Sequence, residues 1–415
     1  MSLKILHTAD WHIGQTFFEF DRTFEHHQFL NWLTQTIAEK EIDVLLICGD
    51  VFDVSNPSAA SIRMFYEFLK KATQVKQNLQ IIVIAGNHDS PSRLEMPNPL
   101  LEAFNIHVVG SIQRDANGNV DYGRFLIPLK NFSGKNYGYC IAMPYIRMCD
   151  FLPGTYNGTN LAESISQIYQ EACEFALSKR SFGEAIIAMG HLHVLNAEIS
   201  DNDKSERQIM GGLEYVPASA FHNSIAYVGL GHIHKAQKIN KCDHIRYSGS
   251  PLPMSFSEIN YKHQVVYFEI ANEKCVNISI LEVPVTVELL KIPSQHKHID
   301  DVIKELLLLP GVTNNSLAPY LEVRVLLSGP EPSLRHKIEA VLNNKHVRLA
   351  KIDVKYQQTD NEKKDALTFD RLQELRPIEV FQKIYKHKFQ NDVPEPLISI
   401  FKQIVTEVQS PDNNI

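Results

Sequence analysis

Five short polar groups constrain this chain more than any other feature: Asp10-Trp11-His12, Gly49-Asp50, Gly86-Asn87-His88-Asp89, Gly190-His191 and Gly231-His232-Ile233-His234. Each closes an apolar run (residues 3–9, 43–48, 79–85, 185–189 and 224–230) that reads as a buried β-strand. In an open α/β sheet the carboxyl ends of the strands line one crevice, so five such ends can meet at one site. The Asp, His and Asn side chains delivered there are hard or borderline donors of the kind that hold divalent metals. A lone Asp-x-His or Gly-Asp arises by chance in many proteins. Five such groups in this order, each at a strand end, do not.

At 415 residues the chain exceeds one ordinary domain, and two or three are expected. With 48 acidic against 41 basic residues the formal charge is −7, which argues against binding nucleic acid through the whole surface. A local basic cleft or a basic partner remains compatible with that charge. Cys48, Cys140, Cys149, Cys173, Cys242 and Cys275 form no Cys-x-x-Cys pair and read as thiols of a reducing compartment. An apolar run starts at residue 3, leaving no room for a signal peptide, and no run approaches the ~18 residues of a membrane span. A cytoplasmic protein without membrane contact is expected.

Residues 1–110 alternate strand and helix, which predicts parallel strands with right-handed crossovers. One helix is expected from Thr23 to Lys40 with Phe24, Leu30, Leu33 and Ile37 on its buried face. A second opens at Asn56-Pro57, with Asn56 as N-cap, and carries Ile62, Phe65, Tyr66 and Leu69. From about 120 to 285 strands dominate, interrupted by a helix over 161–178. A sheet that begins parallel and ends antiparallel, with helices outside, suggests two packed sheets in an α/β/β/α sandwich over 1–284. Residues 285–356 read β-α-β-α-β, a small α+β domain without any of the motif residues. The polar stretch 357–376 reads as a linker, and 377–410 as two amphipathic helices. On their apolar faces lie Ile378, Phe381 and Tyr385, then Leu397, Phe401, Ile404 and Val408.

Asp50 is the natural bridging carboxylate, because its strand lies at the centre of the sheet and Gly49 gives the backbone room for close approach. Asp53 reads as a loop-fixing carboxylate, His7 as a structural histidine within its strand, and His193 as an imitation of the His232-x-His234 pair. Arg22, Arg93, Arg147, Lys235 and Arg246 lie near the motif loops and suit either phosphate contacts or a solvated surface.

The groups around Asp50, His88 and His232 resemble the signature of the calcineurin-like metallophosphoesterases. His7-Thr8-Ala9-Asp10-Trp11-His12-Ile13-Gly14-Gln15 and Arg246-Tyr247-Ser248-Gly249-Ser250-Pro251-Leu252-Pro253-Met254-Ser255-Phe256 narrow this to a resemblance to the SbcD family of nuclease subunits. That resemblance implies a four-layer phosphoesterase with a small DNA-binding capping domain and a C-terminal two-helix segment that binds an SbcC ATPase. It also implies a homodimer within a heterotetramer, and two divalent ions, manganese by preference. By the same likeness Asp10, His12 and His234 bind the first ion, Asn87, His191 and His232 the second, and Asp50 bridges them. His88 is the catalytic histidine, with Asp89 expected to orient it. The implied activity is ATP-dependent 3′→5′ cutting of duplex ends and opening of hairpins. A phosphodiesterase or phosphatase acting on a nucleotide or phosphoprotein is the competing expectation.

Overall fold

The computed structural model describes residues 2–131, 133–151, 161–198, 215–312 and 317–357, with scattered positions between 378 and 401. The chain opens with β1 (Leu3–Thr8), a short hairpin of β2 (Thr16–Phe17) and β3 (Phe20–Asp21), and helix α1 (Thr23–Lys40). Next come β4 (Val44–Cys48), α2 (Ala59–Val75), β5 (Gln80–Ile84), the short helices α3 (Pro91–Glu95) and α4 (Asn98–Leu101), and β6 (Ile106–Val109). β7 (Leu126–Lys130), β8 (Asn136–Ala142), α5 (Leu161–Lys179), β9 (Ala185–His191) and β10 (Ile225–Gly231) follow. Then come β11 (Gln237–Lys238), β12 (Ile245–Tyr247), β13 (Gln264–Ala271) and β14 (Lys274–Glu282).

Two six-stranded sheets result, ordered β14-β13-β1-β4-β5-β6 and β11-β12-β10-β9-β8-β7. The switch from parallel to antiparallel pairing does not divide one sheet from the other. The first sheet is parallel from β1 through β4 and β5 to β6 and antiparallel at its β14-β13 edge, and the second is parallel through β12-β10-β9-β8 and antiparallel at both edges.

The central strands carry apolar residues on both faces, so they read as unbroken hydrophobic runs. Alternate residues serve different layers. Leu3, Ile5, Val44, Leu46, Ile82 and Ile84 join the core that contains the second sheet and α5. Leu6, Leu45, Ile47, Ile81 and Val83 pack in the core with α1 and α2. This period of two places a helix layer outside the first sheet and α5 with the second, giving the expected α/β/β/α order. Helix α1 buries Phe29 with Leu30, Leu33 and Ile37, whereas Phe24, expected on that face, is half exposed. At 100° per residue Phe24 lies opposite Leu33, and Phe29 replaces it. The N-cap of α2 is Ser58, whose Oγ accepts the Ser61 amide at 3.1 Å; Asn56 does not cap it.

His7 shows how tightly the sheets meet. Its ring is fully buried and faces Gly229 of β10, where a Cβ would lie 3.2 Å from the imidazole. Nε2–H donates to Leu230 O (3.2 Å), and Nδ1 accepts the Tyr227 hydroxyl (2.9 Å), which satisfies a neutral imidazole on both sides. Burial, despite the Leu230 carbonyl, lowers its pKa to about 3. The unfolded chain therefore takes up a proton near pH 6.5 that the folded chain refuses until about 3. Stability from this group is complete above pH 6.5 and is lost as pH falls toward 3, by about 1.4 kcal/mol per pH unit. Urea unfolding between pH 7 and 5 should show a His7→Gln variant that is less stable at pH 7 but flatter in its pH dependence. An unchanged slope would mean that His7 is protonated in the fold.

Beyond Pro284, β15 (Leu289–Lys297), α6 (Ile299–Leu307), β16 (Tyr320–Leu327), α7 (Leu334–Leu342) and β17 (Arg348–Tyr356) form a three-stranded sheet, β15-β16-β17, with two helices. Residues 1–325 and 332–354 make one compact unit, and 326–331 with 355–415 a second. Within the first unit, Tyr320 packs on Phe17 and its hydroxyl donates to Glu25 Oε1 (2.8 Å). Arg22, 1% exposed, donates to both oxygens of Glu25 (3.1 and 2.9 Å). A buried ion pair of this geometry is held by the hydrogen bonds around it, and removing one partner would leave a buried charge. Apart from Gln357, the linker expected over 357–376 and most of the helices expected over 377–410 lie outside the described residues. Within the second unit, the Phe381 and Phe401 rings stack with centroids 4.2 Å apart.

Candidate metal centre

At the carboxyl ends of β1, β4 and β10 the backbone leaves the extended region abruptly. Asp10, His12, Asp50 and His232 take φ of 55°, 45°, 49° and 98°. Such conformations are costly for residues with a Cβ and persist where surrounding contacts hold them. Here Asp10 N donates to Gly49 O (3.0 Å), His12 N to Asp50 O (3.0 Å) and His232 N to Asp10 Oδ1 (2.9 Å). Gly49 (φ 87°) and Gly86 make the close approach possible. A Cβ on the first would lie 2.2 Å from His191 Nδ1, and on the second 2.1 Å from Asp50 Oδ1.

The seven residues proposed from sequence as ligands converge. Asp50 Oδ2 stands 3.3 Å from His191 Nε2 and 3.7 Å from His12 Nε2, between two imidazoles from different sheets. His12 Nε2 and His234 Nε2 face each other at 3.2 Å, and with an Asp10 oxygen they form a set whose donor atoms lie within 4.8 Å of one another. On the other side Asn87 Oδ1 lies 2.9 Å from His191 Nε2 and 3.1 Å from His232 Nδ1. His191 Nδ1 donates to Cys48 O (2.8 Å), which turns Nε2 toward the cleft.

Asp10 and Asp50 are 0% and 2% exposed. Burial raises the pKa of Asp10, with opposing help from His191. For Asp50 burial works the same way, but the charge and hydrogen bond of His191, then His12 and His88, hold it far below the carboxylate range. His191 is disfavoured as a cation by burial, yet the charge of Asp50 raises it to about 9. Asp50 and His191 thus each favour the charged form of the other. A divalent cation in the cleft would take the place of that positive charge and leave every imidazole a neutral donor. The residues fit such ions. Asp10 Oδ2 is buried without a hydrogen-bond partner among the described residues, and the donors are carboxylate, amide oxygen and imidazole.

His88 reaches the same cleft: one of its nitrogens groups with His12 and Asp50 within 4.8 Å. It is not oriented by Asp89. The Asp89 carboxylate accepts the amides of Gly86 (2.9 Å), Phe52 (3.0 Å) and Val51 (3.2 Å), welding two motif loops together. Asp53 takes the orienting part, because its carbonyl accepts His88 Nδ1–H at 2.7 Å. Its carboxylate also faces His12 Nδ1 at 3.3 Å. The second Asp of Gly49-Asp50-Val51-Phe52-Asp53 was the available signal. Among the described residues His193 joins no cluster of carboxylates and imidazoles close enough to hold an ion, and its ring packs edge-on against Tyr215 (4.5 Å).

Three of the five cations placed near the motif loops serve the protein's interior. Arg22 holds Glu25, Arg246 donates to the Asp243 carbonyl (2.6 Å), and Arg147 Nη2 donates to the carbonyls of Gly86 (2.9 Å) and Asp89 (3.1 Å). Arg147 thereby clamps the turn carrying Asn87 and His88. Lys235 pairs with Glu198, and Arg93 is exposed. Tyr145, over the Arg147 guanidinium, sets its ring 6.1 Å from His191 and 6.4 Å from His232. Nothing in the spacing of Pro144-Tyr145-Ile146-Arg147 pointed to this pair.

Residues 3–236 match the calcineurin-like phosphoesterases, the class that the paired sheets and five loops define. Residues 285–389 match the type 5 capsule protein repressor C-terminal domain. The SbcD component of the nuclease SbcCD from Rhodobacter capsulatus is 33% identical over 86% of this chain and 88% of its own length. Its counterparts from Escherichia coli (32%; 68% of this chain, 69% of the relative) and Bacillus subtilis (34%; 63% and 65%) are similar. The chain belongs to this SbcD family of calcineurin-like phosphoesterases. Membership implies a hydrolase that works with divalent metals. Among the described residues no helix is long and apolar enough to cross a membrane.

Proposed function

We propose that this chain is the DNA nuclease component of a complex with an SbcC-type ATPase and hydrolyses phosphodiesters at a centre for two divalent ions. The observation that carries the reading is the position of Asp50, one carboxylate between His12 and His191, with separate donor sets beyond each. Asp10, His12 and His234 would hold one ion, Asn87, His191 and His232 the other, and Asp50 both. When bound, such a pair supplies Lewis acidity for water activation and positive charge for the phosphate. His88, whose Nδ1–H is fixed by the Asp53 carbonyl, keeps Nε2 for the scissile phosphate or the leaving oxygen, and gives an Nε2 proton there when the ring enters the reaction as the imidazolium. Asp89 and Arg147 hold the turn that presents His88 and Asn87.

The relatives are named as components of the nuclease SbcCD, which supports DNA as substrate and SbcC as partner. The finer reading follows the family: manganese as the native metal, and ATP-dependent 3′→5′ exonuclease and hairpin-opening activities in DNA repair, recombination and replication. The α+β segment 285–356 serves as the DNA-binding cap and the segment 377–410 as the SbcC-binding element. Met96, Leu100 and Phe104, 77%, 72% and 63% exposed, suit the face of a homodimer. Cleavage of a hairpin DNA and of bis-p-nitrophenyl phosphate, each with and without Mn²⁺, tests the proposal. Manganese-dependent cutting of both substrates, with the hairpin stimulated by SbcC and ATP, is expected. Cleavage of the small diester alone under every condition would overturn the nuclease reading.

A further inference from the structure

Three of the four candidate ligand imidazoles share a pattern on their outer nitrogens. His191 Nδ1 donates to a carbonyl, and His12 Nδ1 faces the Asp53 carboxylate. His234 has such a neighbour too, from a part of the chain that no motif includes. Glu258 is 1% exposed, and its Oε1 lies 3.7 Å from His234 Nδ1. That oxygen is buried and accepts no hydrogen bond among the described residues, while Oε2 accepts the Met254 amide at 3.0 Å. A buried carboxylate oxygen without a donor is costly unless a charged or polar partner compensates it. His234 is the ion-pair partner found for it among the described residues.

The surrounding loop is built against the same histidine. Ser250 N donates to His234 O (3.1 Å), and Gly249, at φ 75°, passes so close that a Cβ would lie 2.5 Å from that carbonyl. The chain then runs through Pro251 and Pro253 into a 3₁₀ turn, Phe256–Glu258, which returns the carboxylate behind the ring. Backbone on one side and carboxylate on the other hold His234 with Nε2 toward His12.

We propose that Glu258 is a positioning residue: it fixes the ring and tautomer of His234 and thereby sets the affinity of the ion at Asp10, His12 and His234. A carboxylate beyond a ligand histidine orients the ring and raises its basicity, and its loss weakens metal binding about 10–100-fold. This rests on the two-ion reading above, and the test separates the two. The full-length chain, stripped with chelator, is titrated with Mn²⁺, and bound ions are counted by equilibrium dialysis and electron paramagnetic resonance. The wild type should take up two ions; uptake of none would refute the two-ion reading itself. E258Q keeps an oxygen for the Met254 amide and should bind one ion as the wild type does and the other about 10–100-fold more weakly. Wild-type affinity at both sites, or equal weakening of both, would overturn the role of Glu258. E258D withdraws the carboxylate by one methylene and covers the case in which E258Q does not fold. It should weaken the same single ion, and unchanged binding or equal weakening of both would again count against the proposal.

Discussion

Asp50→Ala should abolish phosphodiester hydrolysis and empty at least one of the two ion positions. The Asp50 carboxylate stands between His12 and His191, and its Oδ1 also accepts the His88 amide at 2.9 Å. Without it, two cations would face each other with one fewer negative charge between them, at a separation where repulsion in a buried site is large. The fold should survive, because β4 is held by Val44, Leu45, Leu46 and Ile47, all fully buried in the two cores. Asp50→Asn refines the test: its amide oxygen keeps the His88 bond, so a loss common to both variants reports the charge. Metal content, hydrolysis of bis-p-nitrophenyl phosphate and circular dichroism together check the expectation. Full activity in Asp50→Ala would end the two-metal model.

His88→Asn should lower turnover by about 10²–10⁴-fold, the range for loss of a general acid, with both ions still bound. The geometry makes this a sharp test, because His88 lies close enough to His12 and Asp50 to serve as a ligand itself. Its Nδ1 is committed to the Asp53 carbonyl, so one nitrogen remains for either substrate or metal. Metal content measured beside kcat decides which. A variant that loses an ion along with its activity would make His88 a ligand and leave the leaving oxygen without its assigned proton donor.

Much of the architecture follows from alternation. Short apolar runs that end in Asp, Asn or His read as central strands with polar carboxyl ends, and the packing of Leu45 and Leu46 in opposite cores bears this out. Sequence and structure part where pattern and side-chain chemistry compete locally. Phe24 is as apolar as Phe29 but lies on the wrong side of α1, and Asn56 is as good a cap as Ser58 but stands too far from the Ser61 amide. Adjacency along the chain couples Asp89 to His88. Adjacent side chains diverge, however, and the carboxylate accepts three backbone amides instead.

By itself, then, the sequence determined which strands are central, which residues stand at their carboxyl ends, and the kind of chemistry those residues can do. These depend on local periodicity and on side-chain identity, both of which can be read along the chain. Only the tertiary structure decided what holds those residues in place: Asp53 behind His12 and His88, Glu258 behind His234, and Arg147 beneath the Asn87 turn. Arg22, Arg147 and Arg246 look like surface cations in one dimension, and in the fold their guanidinium groups are spent on Glu25, on motif-loop carbonyls and on Asp243. The pairings that fix the site mostly join residues tens of positions apart. They depend on how two sheets and their loops close on one another, and no short-range pattern along the chain encodes that.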